Sequence, residues 1–309
     1  MTETADVAEL YRRSVQGWKT KLAAITSEQW DAPTPCTDWS VRDLVNHVVG
    51  EELWTPPLMH GQTIEQVGDR FDGDLLGDDP LSSAEAASDE ALSAAPEGSL
   101  HGHKVHLSYG EEDAEEYLRQ LIADHLIHGW DLAAAIGSDT RLDADLVSAV
   151  AAWFKDREEL YRSAGAVGPR ADGGGDAQSD LLAAAGRRAD WNPLQAPLAA
   201  FSAAFGSGDI DAIMALMTDD CVFESTSPAP DGGRYDGAGA VRQVWEDLFG
   251  GTPDAAFSEE ESFVAGDRGV LRWRFTWTAP DGGQGHVRGV DVLRFRDGKV
   301  CEKLSYVKG

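Results

Sequence analysis

The sequence predicts two domains: a helical domain over residues 1–191 and an α+β domain over residues 192–309. Three observations support this prediction. The chain has 309 residues, and domains average about 150 residues. Apolar residues recur at helical spacing up to about residue 160, whereas an alternation with a period of two dominates after Asn192-Pro193. Between these patterns, residues 165–180 have the Gly- and Asp-rich composition of a linker.

Four helices of the first domain are predicted at residues 3–26, 82–95, 112–136 and 142–164, and a further helix begins at Ser40. Ser40 and Asp43 form an S-x-x-D capping pattern, which is typical of a helix N-terminus. Gly137 ends the helix over 112–136. Residues 55–80 are rich in Gly, Pro and Asp, so we expect a loop there.

In the second domain, helices are predicted at residues 195–217 and 237–250. Apolar and polar residues then alternate over 271–278, as in a half-buried strand. Two further strands are predicted at residues 286–296 and 299–307. Asp297-Gly298 lies between them, and this dipeptide between alternating runs predicts a β-hairpin.

The charge of the chain excludes several classes of partner. Asp and Glu total 54 and Lys and Arg total 26, which gives a formal net charge of −28. Such a chain repels nucleic-acid phosphates and anionic membrane surfaces, so we expect neither partner. The sequence has no apolar run long enough for a membrane helix and no signal peptide, and its three cysteines form no disulfide or thiolate metal pattern. We therefore expect a cytoplasmic location.

A candidate metal site lies on the helix over 112–136. Asp124 and His128 are four residues apart and continue a stripe of apolar positions. Burying a carboxylate and an imidazole is costly unless both find partners. A divalent metal would satisfy both, and a histidine from another helix would complete two nitrogens and one oxygen, the ligand set of catalytic zinc sites. Zinc is the first choice, with nickel, iron or manganese as alternatives. The other interpretation is a hydrogen bond on the helix surface.

Further titratable residues have two interpretations each. Glu51 follows His47 by one helical turn, so it is either a general base or partner of a ligand, or a solvated carboxylate. The HGHKVH segment (residues 101–106) has the composition of a metal tract but lies in a Gly-containing loop. Cys36 precedes the helix that starts at Ser40, and it is either a reactive thiol or a packed small side chain.

Two motifs of the first domain resemble a known family. TPCTDWSVRDLVNHVVGEELW (residues 34–54) and LIADHLIHGWDLAAAIG (residues 121–137) resemble the metal-binding proteins of the DinB-like superfamily, in the branch related to mycothiol-dependent maleylpyruvate isomerase. This resemblance implies a four-helix bundle and mycothiol as a cosubstrate. It also implies a metal triad of a histidine and an acid-x3-His pair, which fall here on His47, Asp124 and His128. The isomerase branch has Glu at the position of Asp124.

The second domain resembles another family. PLAAFSAAFGSGDIDAIMALMTDDCVFE (residues 197–224) and HVRGVDVLRFRDGKVCEKLSYV (residues 286–307) resemble the SnoaL-like proteins of the nuclear transport factor 2-like superfamily. The resemblance implies a curved sheet wrapped by helices around a conical pocket, and a homodimer formed through this domain. Members include isomerases, cyclases, hydrolases and dimerisation modules, so the fold alone assigns no reaction.

Asp291 is the candidate catalytic residue of this second domain. The alternation places it on one face with apolar residues, and in an apolar cone its carboxyl would have a raised pKa and act as an acid or base. The alternative is that Asp291 pairs with Arg288 or another arginine of the sheet.

The candidate metal ligands, together with what the first resemblance implies, predict a metal-dependent and thiol-dependent isomerase or S-transferase that acts on a small electrophilic organic molecule. His47, Asp124 and His128 would hold the metal, and Glu51 would move a proton. Two other functions are open. One is isomerase, cyclase or hydrolase chemistry at Asp291, and the other is a non-catalytic sensor that binds a metal or ligand.

Overall fold

The polypeptide folds as two units, Met1–Trp191 and Asn192–Gly309. The structure is a computed structural model, which describes residues 6–95, 100, 102–251, 255–278 and 282–308. Within those ranges, none of the helices combines the length and the apolar character needed to cross a bilayer. The predicted fold class, a helical part followed by an α+β part, is confirmed.

Helices dominate the first unit. They are α1 (Val7–Leu22), α2 (Val41–Met59), α3 (Ile64–Val67), α4 (Pro80–Ala94), α5 (Ala114–Ile136), α6 (Ala144–Phe154), α7 (Glu158–Ser163) and α8 (Ala177–Ala184), with a short 3₁₀ helix at Ser27–Gln29. A two-stranded hairpin, β1 (Lys104–Leu107) and β2 (Gly110–Asp113), precedes α5. The long helices α1, α2, α4 and α5 pack against one another, so their apolar faces form the core of this unit.

The ends of the two helices that carry the candidate metal ligands follow from local sequence. Ser40 Oγ accepts a hydrogen bond from the Asp43 amide, and Asp43 Oδ2 accepts one from the Ser40 amide at 2.9 Å, which is a capping box at the start of α2. Gly137 follows α5 with φ of +69°, a conformation that favours glycine. Both predicted helix ends are confirmed.

Other predicted boundaries were wrong. Residues 55–80 are not a continuous loop, because α2 extends to Met59 through buried residues that include Pro56 and Pro57, and α3 follows. The helix predicted over 142–164 is divided between α6 and α7. The break occurs near Arg157, whose side chain donates to Glu116 on α5 and to the carbonyl of Trp153.

The second unit is a sheet covered by helices. Its elements are α9 (Gln195–Ser207), α10 (Ile210–Ala215), β3 (Met217–Glu224), β4 (Arg234–Asp236), α11 (Ala238–Gly251), β5 (Ala256–Ala265), β6 (Arg268–Thr278), β7 (Gln284–Arg296) and β8 (Lys299–Lys308). The strand order is β4-β3-β8-β7-β6-β5. All neighbouring strands are antiparallel except β3 and β8. Helix α9 packs on β5 and α11 on β3, which leaves an aromatic core between helices and sheet.

Turns in the second unit confirm the predicted hairpin and divide one predicted helix. Asp297 and Gly298 have φ of +52° and +72°, and they join β7 to β8 as the predicted hairpin turn. The helix predicted over 195–217 is divided, because Gly208 has φ of +67° and ends α9, while the Asp209 side chain caps α10. The strands β3, β4 and β5 were not predicted from the sequence.

A close approach at Gly289 shapes the inner face of the sheet. Gly289 on β7 pairs with Trp273 on β6 and Val307 on β8. A Cβ atom at Gly289 would overlap the Trp273 ring and lie 2.6 Å from the carbonyl oxygen of Tyr306. Glycine is therefore required for the indole of Trp273 to lie against β7.

We predict that Gly289→Ala destabilises the second unit by about 1–3 kcal/mol, since the added methyl overpacks a filled space. The free energy of unfolding from urea denaturation of the full chain measures this loss. Gly239→Ala on α11 is the matched control, because a Cβ there meets no heavy atom within 4 Å, and its stability should be unchanged or slightly higher. Equal stability of the two variants would contradict the close approach at Gly289.

Candidate metal centre

The structure brings together the three residues predicted as metal ligands. His47 lies on α2, while Asp124 and His128 lie one turn apart on α5. Asp124 Oδ1 is 3.5 Å from His47 Nε2 and 3.3 Å from His128 Nε2. One ligand atom from each of the three lies within 4.8 Å of the others. The packing of α2 on α5 thus converts two separate sequence motifs into one cluster.

The geometry of this cluster fits a divalent cation. Ligand atoms at about 2.1 Å from a tetrahedral cation lie roughly 3.4 Å apart, which is close to both measured separations. A good N–H···O hydrogen bond is shorter, with a donor–acceptor distance of about 2.9 Å. Moreover, Asp124 Oδ2 is buried and has no hydrogen-bond partner among the described residues. An unsatisfied buried oxygen is costly, and a cation between Oδ1 and the two imidazoles would give this carboxylate a further partner.

The ring of His128 is fixed from its other side. Its Nδ1 lies 3.0 Å from Oδ2 of Asp131, which is fully buried one turn further along α5. In the neutral imidazole, Nδ1–H donates to this carboxylate and leaves the lone pair of Nε2 facing Asp124 and His47. A carboxylate behind a histidine is the usual means of orienting a metal-ligating imidazole.

Asp131 is itself held by two side chains from distant segments. Arg187 Nη2 donates to Asp131 Oδ2 at 2.8 Å, and Arg187 Nε donates to Oδ1 at 3.2 Å. Cys36 Sγ lies 3.2 Å from Asp131 Oδ2 and 3.1 Å from Arg187 Nη2. Burial alone would raise the pKa of Asp131, but His128 and Arg187 outweigh burial and lower it. The carboxylate therefore remains ionised and can keep its bond to His128.

Two carboxyl groups near the cluster differ in their charge state. Burial opposes ionisation of Asp124, but His128 and His47 outweigh it and hold the pKa of Asp124 well below its usual range. Burial, followed by the negative charge of Asp124, raises the pKa of Glu51. Two carboxyl groups with opposite shifts are typical of sites where one binds a cation and the other carries a proton. Glu51 is half-buried on α2, one turn after His47.

A cavity of about 160 Å³ borders Asp124 and His128. Its wall is mostly apolar and aromatic, and it includes Ile127, Val150, Trp153, Phe154, Tyr161 and Leu181. Gln120 and Arg187 provide polar groups at its edge. A cavity of this size can hold a molecule about as large as benzene, directly beside the candidate ligands.

The remaining histidine candidates have other partners or lie elsewhere. Of the HGHKVH segment, His101 lies outside the described residues. His103 Nε2 lies 2.9 Å from the backbone carbonyl of Met59, at hydrogen-bond distance. His125 faces the core, where its Nε2 is 3.1 Å from Oε1 of the buried Glu52. Within the described ranges, a second group close enough to share a cation is Cys36, His128 and Asp131, but the Arg187 guanidinium already provides positive charge there.

In the second unit, Asp291 has a partner that the sequence analysis did not consider. Asp291 Oδ2 is 2.8 Å from Lys303 Nζ, and Ser305 Oγ donates to Asp291 Oδ1 at 2.6 Å. Arg288 binds Glu260 instead, at 2.8 Å. The alternative interpretation, a pairing of Asp291 with an arginine, was therefore wrong, because Lys303 on β8 lies on the inner face of the sheet beside Asp291.

Sequence reasoning also missed the roles of Arg187 and Asp131. A local signal existed for Asp131, since it follows His128 by three residues on the same helix face. Arg187 has no such signal, because it follows α8 and is 56 residues from Asp131 along the chain. Its role depends on the tertiary fold.

Comparisons with known proteins identify relatives of both units. The family described as mycothiol maleylpyruvate isomerase N-terminal domain matches residues 11–133. The family described as SnoaL-like domain matches residues 198–303. Uncharacterized proteins of Mycobacterium tuberculosis strains H37Rv and CDC 1551 are each 30% identical to this chain over 176 residues, which cover 55% of this chain and 84% of the relative.

Solved structures also resemble the second part of the chain. An NTF2-like protein of unknown function from Mesorhizobium loti is 40% identical, with 38% of this chain and 91% of that chain covered and a TM-score of 0.33. An NTF2-like protein of unknown function from Cytophaga hutchinsonii is 16% identical, with 37% and 99% covered and a TM-score of 0.33. Both resemblances inferred from the sequence motifs are confirmed by the family matches. The chain belongs to the mycothiol maleylpyruvate isomerase N-terminal domain family through its first unit and to the SnoaL-like family through its second.

Proposed function

We propose that this protein is a metal-dependent enzyme that uses a low-molecular-weight thiol to isomerise or S-conjugate a small electrophilic molecule. The observation that carries the proposal is the convergence of His47 and His128 on Oδ1 of Asp124. The other oxygen of this carboxylate, Oδ2, is buried and has no hydrogen-bond partner among the described residues. The matching family is named after a mycothiol-dependent isomerase, so mycothiol is the thiol we propose. Zinc is the proposed metal, because two imidazoles and one carboxylate with an open position are typical of catalytic zinc sites.

The residues of the first unit have distinct roles in this proposal. When bound, a divalent cation would favour the thiolate form of the thiol, which is the nucleophilic form. His47, Asp124 and His128 would hold the cation, and Asp131 would keep the His128 ring oriented. Glu51 would accept the thiol proton and return it to the product. The apolar cavity beside Asp124 and His128 would bind the electrophile and exclude water from it.

The family likeness also supports proposals about organisation. We propose that residues 1–191 form the metal-binding domain and residues 192–309 a SnoaL-like domain that binds an apolar ligand. We also propose that the chain forms a homodimer through the second domain and acts in the cytoplasm. Isomerase, cyclase or hydrolase chemistry with Asp291 as the sole acid or base is a weaker proposal, because Lys303 and Ser305 occupy both of its carboxylate oxygens.

We predict that wild-type protein reconstituted with Zn²⁺ retains about one equivalent of metal, whereas His128→Ala and His47→Ala lose most of it because each removes one of three ligands. Elemental analysis after desalting measures the content. His60→Ala is the matched control, since His60 is exposed at the end of α2. Wild-type protein without metal after reconstitution would contradict the proposed centre, as would an equal loss in His60→Ala.

Asp131→Asn should weaken metal affinity about 10–100-fold, because an amide does not fix the His128 tautomer as a carboxylate does. Competition with a chromophoric chelator measures the affinity, and circular dichroism checks the fold. Asp139→Asn provides the control, since Asp139 is exposed and pairs with Arg141. An unchanged affinity in Asp131→Asn would show that this carboxylate does not support the centre.

Glu51→Gln should keep its metal but lower thiol-dependent turnover by about 10²–10⁴-fold, the usual contribution of a general acid or base. The assay follows mycothiol-dependent conversion of maleylpyruvate and of a panel of α,β-unsaturated carbonyl compounds and epoxides. Glu65→Gln is the control, because Glu65 is exposed on α3. Full turnover in Glu51→Gln would remove Glu51 from the mechanism. Stoichiometric thiol binding without turnover in wild type would instead favour a sensor.

A further inference from the structure

A buried lysine borders the largest cavity described in the second unit. The side chain of Lys303 is only 5% exposed. Its Nζ lies 2.8 Å from Asp291 Oδ2 and 2.7 Å from Ser305 Oγ. Lysine is rarely buried to this extent, and a buried ion pair often contributes less stability than apolar side chains of the same size. Packing alone therefore does not explain its presence.

Aromatic rings surround the amine and continue into the cavity. Nζ lies 5.2, 4.9 and 5.5 Å from the ring centroids of Phe205, Phe223 and Trp245. These rings, Lys303 and Ser305 all border a cavity of about 890 Å³, which is the size of a typical small-molecule site. Further walls of this cavity are Trp273, Phe275 and Trp277. A ligand in it would contact flat apolar surfaces and one amine.

The charges around the cavity disfavour an anionic ligand. Asp291 already neutralises Lys303, and it borders a different cavity of about 310 Å³, so the carboxylate lies to one side of the amine. Among the described residues that border the large cavity, Lys303 is the only cation, and Asp247 is acidic. A neutral polar group that can react with an amine fits this environment better than an anion does.

We propose that Lys303 is the amine nucleophile of a second site, which captures the carbonyl group of an aromatic aldehyde or ketone as a Schiff base. This site is independent of the metal centre in the first unit. Its ligand is an apolar carbonyl compound small enough for a cavity of about 890 Å³. The amine and its two polar neighbours supply the reacting groups.

The reaction balances with these residues alone. The ammonium of Lys303 transfers one proton to Asp291, and the free amine then forms a C–N bond to the carbonyl carbon. One proton of the attacking nitrogen moves to the carbonyl oxygen, which becomes the hydroxyl of a carbinolamine. This hydroxyl leaves as water with the proton held by Asp291, which Ser305 can relay, since its Oγ bridges both side chains at 2.6 and 2.7 Å. The products are a protonated C=N bond beside the Asp291 carboxylate and one water, and no oxidant or reductant is needed.

The environment also increases the neutral fraction of the amine relative to a lysine in water. Burial lowers the pKa of Lys303 from its usual value, although Asp291 opposes this effect. An ordinary lysine in water has a pKa of about 10.4, so very little of it is neutral at pH 7. Desolvation in an apolar pocket is a recognised way to activate a lysine nucleophile.

The test uses the full chain at pH 7 with 4-phenylbutan-2-one and sodium cyanoborohydride, which reduces a Schiff base to a stable amine. Peptide mass mapping locates the modified lysines. We expect Lys303 to be labelled at least tenfold faster than Lys299, which is exposed at the start of β8. With acetone in place of the aromatic ketone, this preference should fall, because acetone makes little contact with the aromatic walls.

Two variants complete the experiment. Lys303→Arg keeps a cation beside Asp291 but forms no Schiff base, so the label at this position disappears while other labels remain. Lys299→Arg should retain full labelling of Lys303. Labelling of Lys299 with Lys303 unmodified, or equal rates at both residues, would overturn the proposal. The wild-type map decides this even if Lys303→Arg does not fold, and neither result bears on metal binding by the first unit.

Discussion

The buried carboxylate of Asp131 is the constraint on which the candidate metal centre depends. It joins His128 on α5, Arg187 after α8 and Cys36 before α2, with contacts between 2.8 and 3.2 Å. Because Asp131 is fully buried, its charge is tolerated only while Arg187 and His128 compensate it. The same bonds that satisfy Asp131 therefore fix the direction of the His128 ring. The fold and the candidate site therefore depend on the same residue. The segments that carry Cys36 and Arg187 pack against Asp131, and Asp131 orients one of the three candidate ligands.

Much of this centre could be predicted because its signals are local. The spacing of Asp124 and His128 places them on one face of α5, and the capping box at Ser40 fixes where α2 begins, and hence which face His47 occupies. The resemblance then linked the two helices. Arg187 escaped prediction because the residue it pairs with is remote in sequence and its own segment has no periodic pattern. Local chemistry is visible in a sequence, whereas a pairing that only the tertiary fold creates is not.

In the second unit, the predicted strands β6 and β7 alternate clearly in sequence, whereas the missed strand β5 does not. Strand β5 begins with a run of acidic and small residues and is exposed over most of its length, so it lacks the apolar half of the pattern. A register shift between β7 and β8 explains why the burial of Lys303 was not predicted from the sequence. Phe295 pairs with Val300 but Arg294 pairs with Glu302, so the alternation changes phase within β8. Counting in steps of two from the buried Val300 would place Lys303 outside, yet it is buried.

The two units differ in whether their buried charged side chains have partners within the protein. This difference determines whether a ligand would supply a missing partner. In the first unit, one buried oxygen of Asp124 has no hydrogen-bond partner among the residues that the structure describes, so these residues leave the cluster incomplete. In the second unit, Lys303 reaches a carboxylate, a hydroxyl and three aromatic faces, so its charge is satisfied without a ligand. A cation would therefore complete the structure of the first site, because it supplies a missing partner. A ligand at Lys303 instead meets an amine whose contacts are already made, and the protonated Schiff base would keep its positive charge beside Asp291.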